Sequence, residues 1–277
     1  MNALWLAQIA AVLRLEMKKT FFARRGLWIY LLAFAPAVLF AGHAYVQLRM
    51  GRPGDFGEDT SIFASVFQLF YLRLAIFFGC VGIFMNLFRG EMLNKSLHYY
   101  FLAPVRREVL LAGKYIAGLL VTATVFSVST LLQFIALYAD YDWNTIRAYL
   151  LESGGLSHLA AYLGVTVLAC IGYGSVFLAA GIVFRNPIIP AGLILVWEAI
   201  NAFLPAVLQK FSVIYYLKSL CPIQVPPSLP PPFSLMTINV DPMPAYIAAP
   251  GVLLLATVVL AVAGMWVRKM EINYATD

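Results

Sequence analysis

Residues 89–114 read RGEMLNKSLHYYFLAPVRREVLLAGK, a basic, aromatic-rich insert between two long apolar runs, Ile62–Phe88 and Tyr115–Tyr138. Hydrocarbon does not hold charged side chains at this density. The insert therefore lies in water at one face of a membrane, and the runs on either side of it cross. It is too short for an independent domain and too rich in helix formers for a plain turn. The expectation is a short amphipathic helix, resting on the membrane or docked on a soluble partner.

The rest of the chain supports that reading. It is 62% hydrophobic with 12% charged residues and a mean hydropathy of +0.84, whereas soluble domains carry about 25% charged residues. A spanning helix needs about 20 mostly apolar residues. Six runs qualify: Leu27–Val46, Ile62–Phe88, Tyr115–Tyr138, Leu156–Phe184, Ile188–Leu208 and Tyr246–Val267. The sequence thus predicts an all-α integral membrane protein with six transmembrane helices in one domain, residues 27–267, followed by a cytoplasmic tail, residues 268–277. With the N-terminus inside, thirteen Lys and Arg residues fall in cytoplasmic segments, against five outside (Arg49, Arg52, Arg147, Lys210 and Lys218). That asymmetry predicts both termini in the cytoplasm, and the expected location is the cell inner (plasma) membrane. The net charge of +6 then reflects topology and anionic lipid headgroups, with no nucleic acid implied.

Residues 1–26 precede the first span. Ala3–Leu13 is apolar, but its basic residues (Arg14, Lys18 and Lys19) follow it, the reverse of a signal peptide. An amphipathic interfacial helix with Trp5, Ile9, Val12 and Leu13 toward lipid is expected; the alternative is an extension of the first span. The fourth run is rich in Gly and Ala, which let helices approach closely in lipid. The outer segment, residues 209–245, contains eight prolines among aromatic residues. It reads as short helices dipping into the outer leaflet before an extended proline stretch, or as a plain proline-rich linker.

Few polar groups lie in the spans. Arg73 in the second and Glu198 in the fifth are the candidate intramembrane pair, either structural or lining a cavity. His43 and His158 fall near outer span ends, where a metal or haem site and ordinary packing are both open; no metal-ligand spacing is present. Gly113-Lys114 is followed by Tyr115, and Glu108 occupies the first-glycine position of a phosphate loop. Neither a Ser/His/Asp set nor HExxH stands out. The chain reads as no enzyme, so any driving energy comes from a partner.

The run FRGEMLNKSLHYYFLAPVRREVLLAGKYIAGLL, residues 88–120, resembles the corresponding region of type 2 ATP-binding-cassette (ABC) permeases. In that family an acidic residue follows the second span. A Lys-(Ser/Thr)-Leu step comes next, then a Leu-x-x-Pro-(Val/Ile) turn with a basic pair, and Gly-Lys-Tyr opens span three. Glu91, Lys95-Ser96-Leu97, Pro104-Val105, Arg106-Arg107 and Gly113-Lys114-Tyr115 fill those places. Ser96 replaces the commoner threonine, and Leu102 stands one residue closer to the proline than in the pattern.

The resemblance implies a type 2 ABC exporter (G-subfamily-like) transmembrane fold. It also implies a second permease subunit, in a homo- or heterodimer, and a cytoplasmic ABC ATPase subunit. ATP and Mg would be bound by that ATPase, with no cofactor on this chain. Residues 89–114 become the coupling segment, with Glu91, Lys95, Leu97, His98, Tyr99, Tyr100, Pro104, Arg106 and Arg107 meeting the ATPase and membrane lipid beside them. The residues themselves agree, since aromatic anchors inside a polar rim are what small protein interfaces use. The expected function is export driven by the partner's ATP hydrolysis. The alternatives are an ABC-driven mechanical or maturation complex without bulk transport, and an unrelated six-span protein.

Overall fold

Where water is absent, each backbone group must be bonded within its own segment, so long apolar runs fold as helices. The computed structural model describes residues 2–21, 26–51, 54–93, 105–184, 186, 188–223, 225 and 243–269. In chain order the helices are α1 (Asn2–Phe21), α2 (Leu27–Met50), α3 (Phe56–Val66), a π-helical segment (Phe67–Ile76), α4 (Phe77–Leu93), α5 (Arg107–Leu137), α6 (Trp143–Leu151), α7 (Gly155–Val183), α8 (Ile188–Ala199), α9 (Ala206–Gln209), α10 (Val213–Leu220) and α11 (Ala245–Lys269).

Among the described residues, five helices are long and apolar enough to cross a membrane: α2, the continuous stretch Phe56–Met92, α5, α7 and α11. The expected sixth, Ile188–Leu208, is not one helix. α8 has 12 residues, about 18 Å at 1.5 Å per residue, too short to cross alone. A 3-10 turn over Asn201–Phe203 follows it, then Leu204 in extended conformation. The cause is Pro205, whose ring disfavours helical geometry at the residue before it.

The stretch Phe56–Met92 starts where Asp55 caps it, accepting from the backbone N–H of Gly57 at 2.9 Å. Glu58 and Asp59 in its first turn complement the helix dipole. The helix thus opens at Phe56, ahead of Ile62 where the apolar run begins. α7 is the most deeply buried span and packs against α4, α5, α10 and α11. Its small residues permit this: a Cβ on Gly181 would lie 2.8 Å from the Met85 backbone, and one on Gly174 would lie 2.6 Å from the Phe84 ring. An aromatic ladder (Phe63, Phe67, Tyr71, Phe126 and Tyr162), with ring centroids 4.7 to 6.0 Å apart, fills the core between α3, the π-helical segment, α5 and α7. Residues 224 and 226–242 of the proline-rich segment, with six of its eight prolines, lie outside the described residues.

Candidate functional site

Lys114 is fully buried, two turns into α5. Its Nζ lies 2.7 Å from Glu16 Oε1, 2.9 Å from Glu91 Oε2 and 2.9 Å from the Leu87 carbonyl. Lys19 adds a second ammonium, 3.4 Å from Glu91 Oε1 and 3.9 Å from Glu16 Oε1. Among the described residues, two cations therefore face two carboxylates. A buried charge is tolerated when it is paired and hydrogen-bonded in this way. Glu16 and Lys19 share a face of α1 because they are three residues apart, Glu91 comes from the last turn of α4, and Lys114 comes from α5. One side chain thus ties three helices together.

The approach of α1 depends on Gly113, where a Cβ would stand 3.0 Å from Val12. This corrects the expected orientation of α1: Val12 packs on α5 rather than facing lipid, because Glu16 one turn later must reach Lys114. The Trp5 ring lies under the Arg106 guanidinium, at 5.1 Å. Arg107 donates from Nη1 to the carbonyls of Val267 (3.2 Å) and Arg268 (2.9 Å), satisfying acceptors that a helix C-terminus leaves open. Arg268 pairs in turn with Glu108. Of the expected coupling residues, Glu91, Arg106 and Arg107 are therefore anchored to α1, α5 or α11. Lys95, Leu97, His98, Tyr99, Tyr100 and Pro104 lie outside the described residues.

Sequence reasoning did not place Glu16 or Lys19 in a site and took Lys114 only as part of a motif. A signal was present in Glu16, the one acid among Arg14, Lys18 and Lys19 in an apolar helix.

The second polar centre is formed by the π-helical segment, α8 and α10. The structure brings Arg73 and Glu198 together, with Arg73 Nη1 3.4 Å from the backbone carbonyl of Glu198. The Glu198 carboxylate meets α10: it accepts from Ser212 Oγ at 2.7 Å, Val213 N at 3.0 Å and Ile214 N at 2.9 Å. Ser212 precedes α10 without capping it, so the carboxylate of α8 supplies the cap in its place, and its negative charge suits a helix N-terminus. A cavity of about 300 Å³ opens beside the pair, lined by Leu69, Arg73, Leu74, Tyr173, Leu195, Glu198 and Ala199. Nearby Lys218 of α10 is buried.

The histidines go to separate places. His43 Nε2 lies 3.1 Å from Asp59 Oδ1, and Tyr141 donates to Asp59 Oδ2 at 2.7 Å, joining α2, α3 and the loop before α6. His158 Nδ1 lies 3.1 Å from the Tyr149 hydroxyl. Among the described residues, no group of three His, Cys, Asp or Glu side chains is placed to hold a metal ion.

A family model described as ABC-2 family transporter protein matches residues 12–201. That stretch includes every member of the Lys114 cluster as well as Arg73 and Glu198. No curated protein matches the chain.

Proposed function

The chain belongs to the ABC-2 transporter family, and from that premise we propose that it is the permease subunit of an ABC exporter. A separate cytoplasmic ATPase supplies the energy through residues 94–104, and a second permease subunit completes the path. α1 lies in the inner interface. α8 and α10, joined end to end by the Glu198 cap, act together as the sixth crossing, which leaves both termini cytoplasmic in the inner membrane.

One observation carries this reading. The residues flanking 94–104 are fixed to the bundle by buried or doubly bonded contacts: Glu91 through Lys114 and Glu16, and Arg107 through the end of α11. A segment held rigidly at both ends passes an applied movement into the helices rather than absorbing it in a hinge.

The test is Tyr99→Ala together with Tyr100→Ala. No span is altered, so the protein should insert normally. If each tyrosine is an interface anchor worth about 2 kcal/mol, ATPase association should weaken by at least about 30-fold, and substrate should no longer change ATP turnover. Unchanged association and transport in the double variant would show that 94–104 is a membrane-surface loop. Measuring vesicle flux beside ATP turnover separates export from mechanical work without bulk transport.

A further inference from the structure

α6 lies where the chain returns from α5 to α7, at the end of α5 opposite Arg107. Asp142 opens it by accepting from the backbone N–H of Asn144 at 3.2 Å. A helix turns about 100° per residue, and that sorts the residues of α6 onto three faces. Ile146, Tyr149 and Leu150 form the first and pack into the core. Asn144, Thr145 and Ala148, with Glu152 just past the helix end, form a mainly polar face. The first three of these line an open cleft. Trp143, Arg147 and Leu151, each four residues from the next, form the third face beside the packed one.

The third face has no cover from the bundle. Trp143 is 69% exposed and Leu151 64%, so the apolar arc of α6 is wider than the part that packs. Scattered apolar residues on a surface are ordinary, but these two run into a longer stripe. Leu151 stands at one end of the turn at Gly154 (φ 79°), and Leu156, 52% exposed, stands at the other. Exposed Ala160, Gly164 and Val167 continue down the same side of α7. α7 is long and apolar enough to cross a membrane, so hydrocarbon covers that side. Tryptophan favours the membrane–water boundary, where its ring is in an apolar layer and its N–H is wet. The charges of α6 also suit a boundary: Arg147 lies between Trp143 and Leu151, while exposed Asp142 and Glu152 flank the helix.

We propose that α6 docks in the headgroup layer of a zwitterionic phospholipid leaflet. Trp143 and Leu151 reach the acyl boundary, and Arg147 meets the phosphates. Asp142 and Glu152 meet the ammonium groups, and the Asn144 face stays in water. A strongly anionic surface fits less well, because two acids outweigh one arginine on this helix. A protein partner on the same face would have to bury Arg147, which is costly without a paired carboxylate; headgroups supply an anion without desolvating it. Docked in this way, α6 sets the depth of the ends of α5 and α7 that it joins. The proposal rests on the permease reading only for the crossing of α5 and α7.

The test compares Leu151→Cys with Glu152→Cys, adjacent in sequence but about 100° apart around the helix. Each is labelled with bimane in the full-length protein, purified with the subunits that accompany it, in phosphatidylcholine nanodiscs. The native cysteines are buried, and the wild type carried through the same labelling sets the background. The Leu151→Cys label should be quenched by nitroxide lipid and shielded from aqueous iodide, and the Glu152→Cys label should show the reverse. Val128→Cys, on an exposed side of α5, is the control for crossing. Without nitroxide quenching there, the membrane reading itself falls. With Val128→Cys quenched, iodide access at Leu151→Cys overturns the docking alone. Protection of Leu151→Cys from both quenchers also overturns it, because protein then covers the face. Phosphatidylglycerol in place of phosphatidylcholine should lower nitroxide quenching at Leu151→Cys by about fivefold, the effect of one net charge at an anionic surface. Adding Glu152→Gln should restore it. Equal quenching in the two lipids overturns the zwitterionic preference.

Discussion

Glu16 and Lys114 are 98 residues apart in sequence, yet Glu16 Oε1 and Lys114 Nζ stand 2.7 Å apart in the interior. The contact joins the first helix to the third long span beside the ends of residues 94–104. Its energetics are asymmetric: an intact buried pair adds little net stability, but breaking one strands a charge.

Lys114→Met should therefore destabilise the protein by about 3–5 kcal/mol, because Glu16 and Glu91 lose their shared cation. The double variant Lys114→Met, Glu16→Gln should recover part of that loss. Thermal unfolding in mild detergent measures both, and a double variant no more stable than the single one would contradict the pairing.

Glu198→Ala should release the N-terminal turn of α10, leaving Ser212 Oγ and the N–H groups of Val213 and Ile214 without their acceptor. A cap loss alone costs about 1 kcal/mol. Cys221 at the end of α10 is the reporter. Its thiol is buried, so maleimide at pH 8 should leave the wild type unlabelled. Labelling of Cys221 should appear in Glu198→Ala and be much weaker in Glu198→Gln, which keeps an acceptor.

Gly181→Ala should be costly, since its Cβ would meet the Met85 backbone at 2.8 Å and two helices would have to separate; overpacking of this kind costs about 1–3 kcal/mol. Gly164→Ala on the same helix has nothing within 4 Å and should be neutral or slightly stabilising. Equal melting temperatures for the two variants would contradict the close packing of α4 on α7.

The sequence announces the long apolar helices because lipid imposes length and composition on them one segment at a time. The break in Ile188–Leu208 is harder to see, since Ile188–Ala199 and the residues after it are equally apolar. The interruption depends on Pro205 and on a carboxylate whose partners arrive 14 to 16 residues later. Arg73 and Glu198 could be named as polar groups in apolar surroundings, but which atoms of theirs meet is a matter of tertiary placement. Lys114 was visible as a motif letter, whereas its burial was not, because Glu16 becomes its partner only when α1 folds back across α5. The π-helical turn leaves no periodic trace in a run where nearly every residue is apolar.

Arg268 pairs with Glu108, and those two residues are 160 apart in the chain. During synthesis the start of α5 therefore leaves the ribosome long before the helix end that clamps it. A chain stalled before α11 has been made lacks the helix end that Arg107 and Glu108 hold, so the start of α5 takes up its final contacts only when the last span is complete.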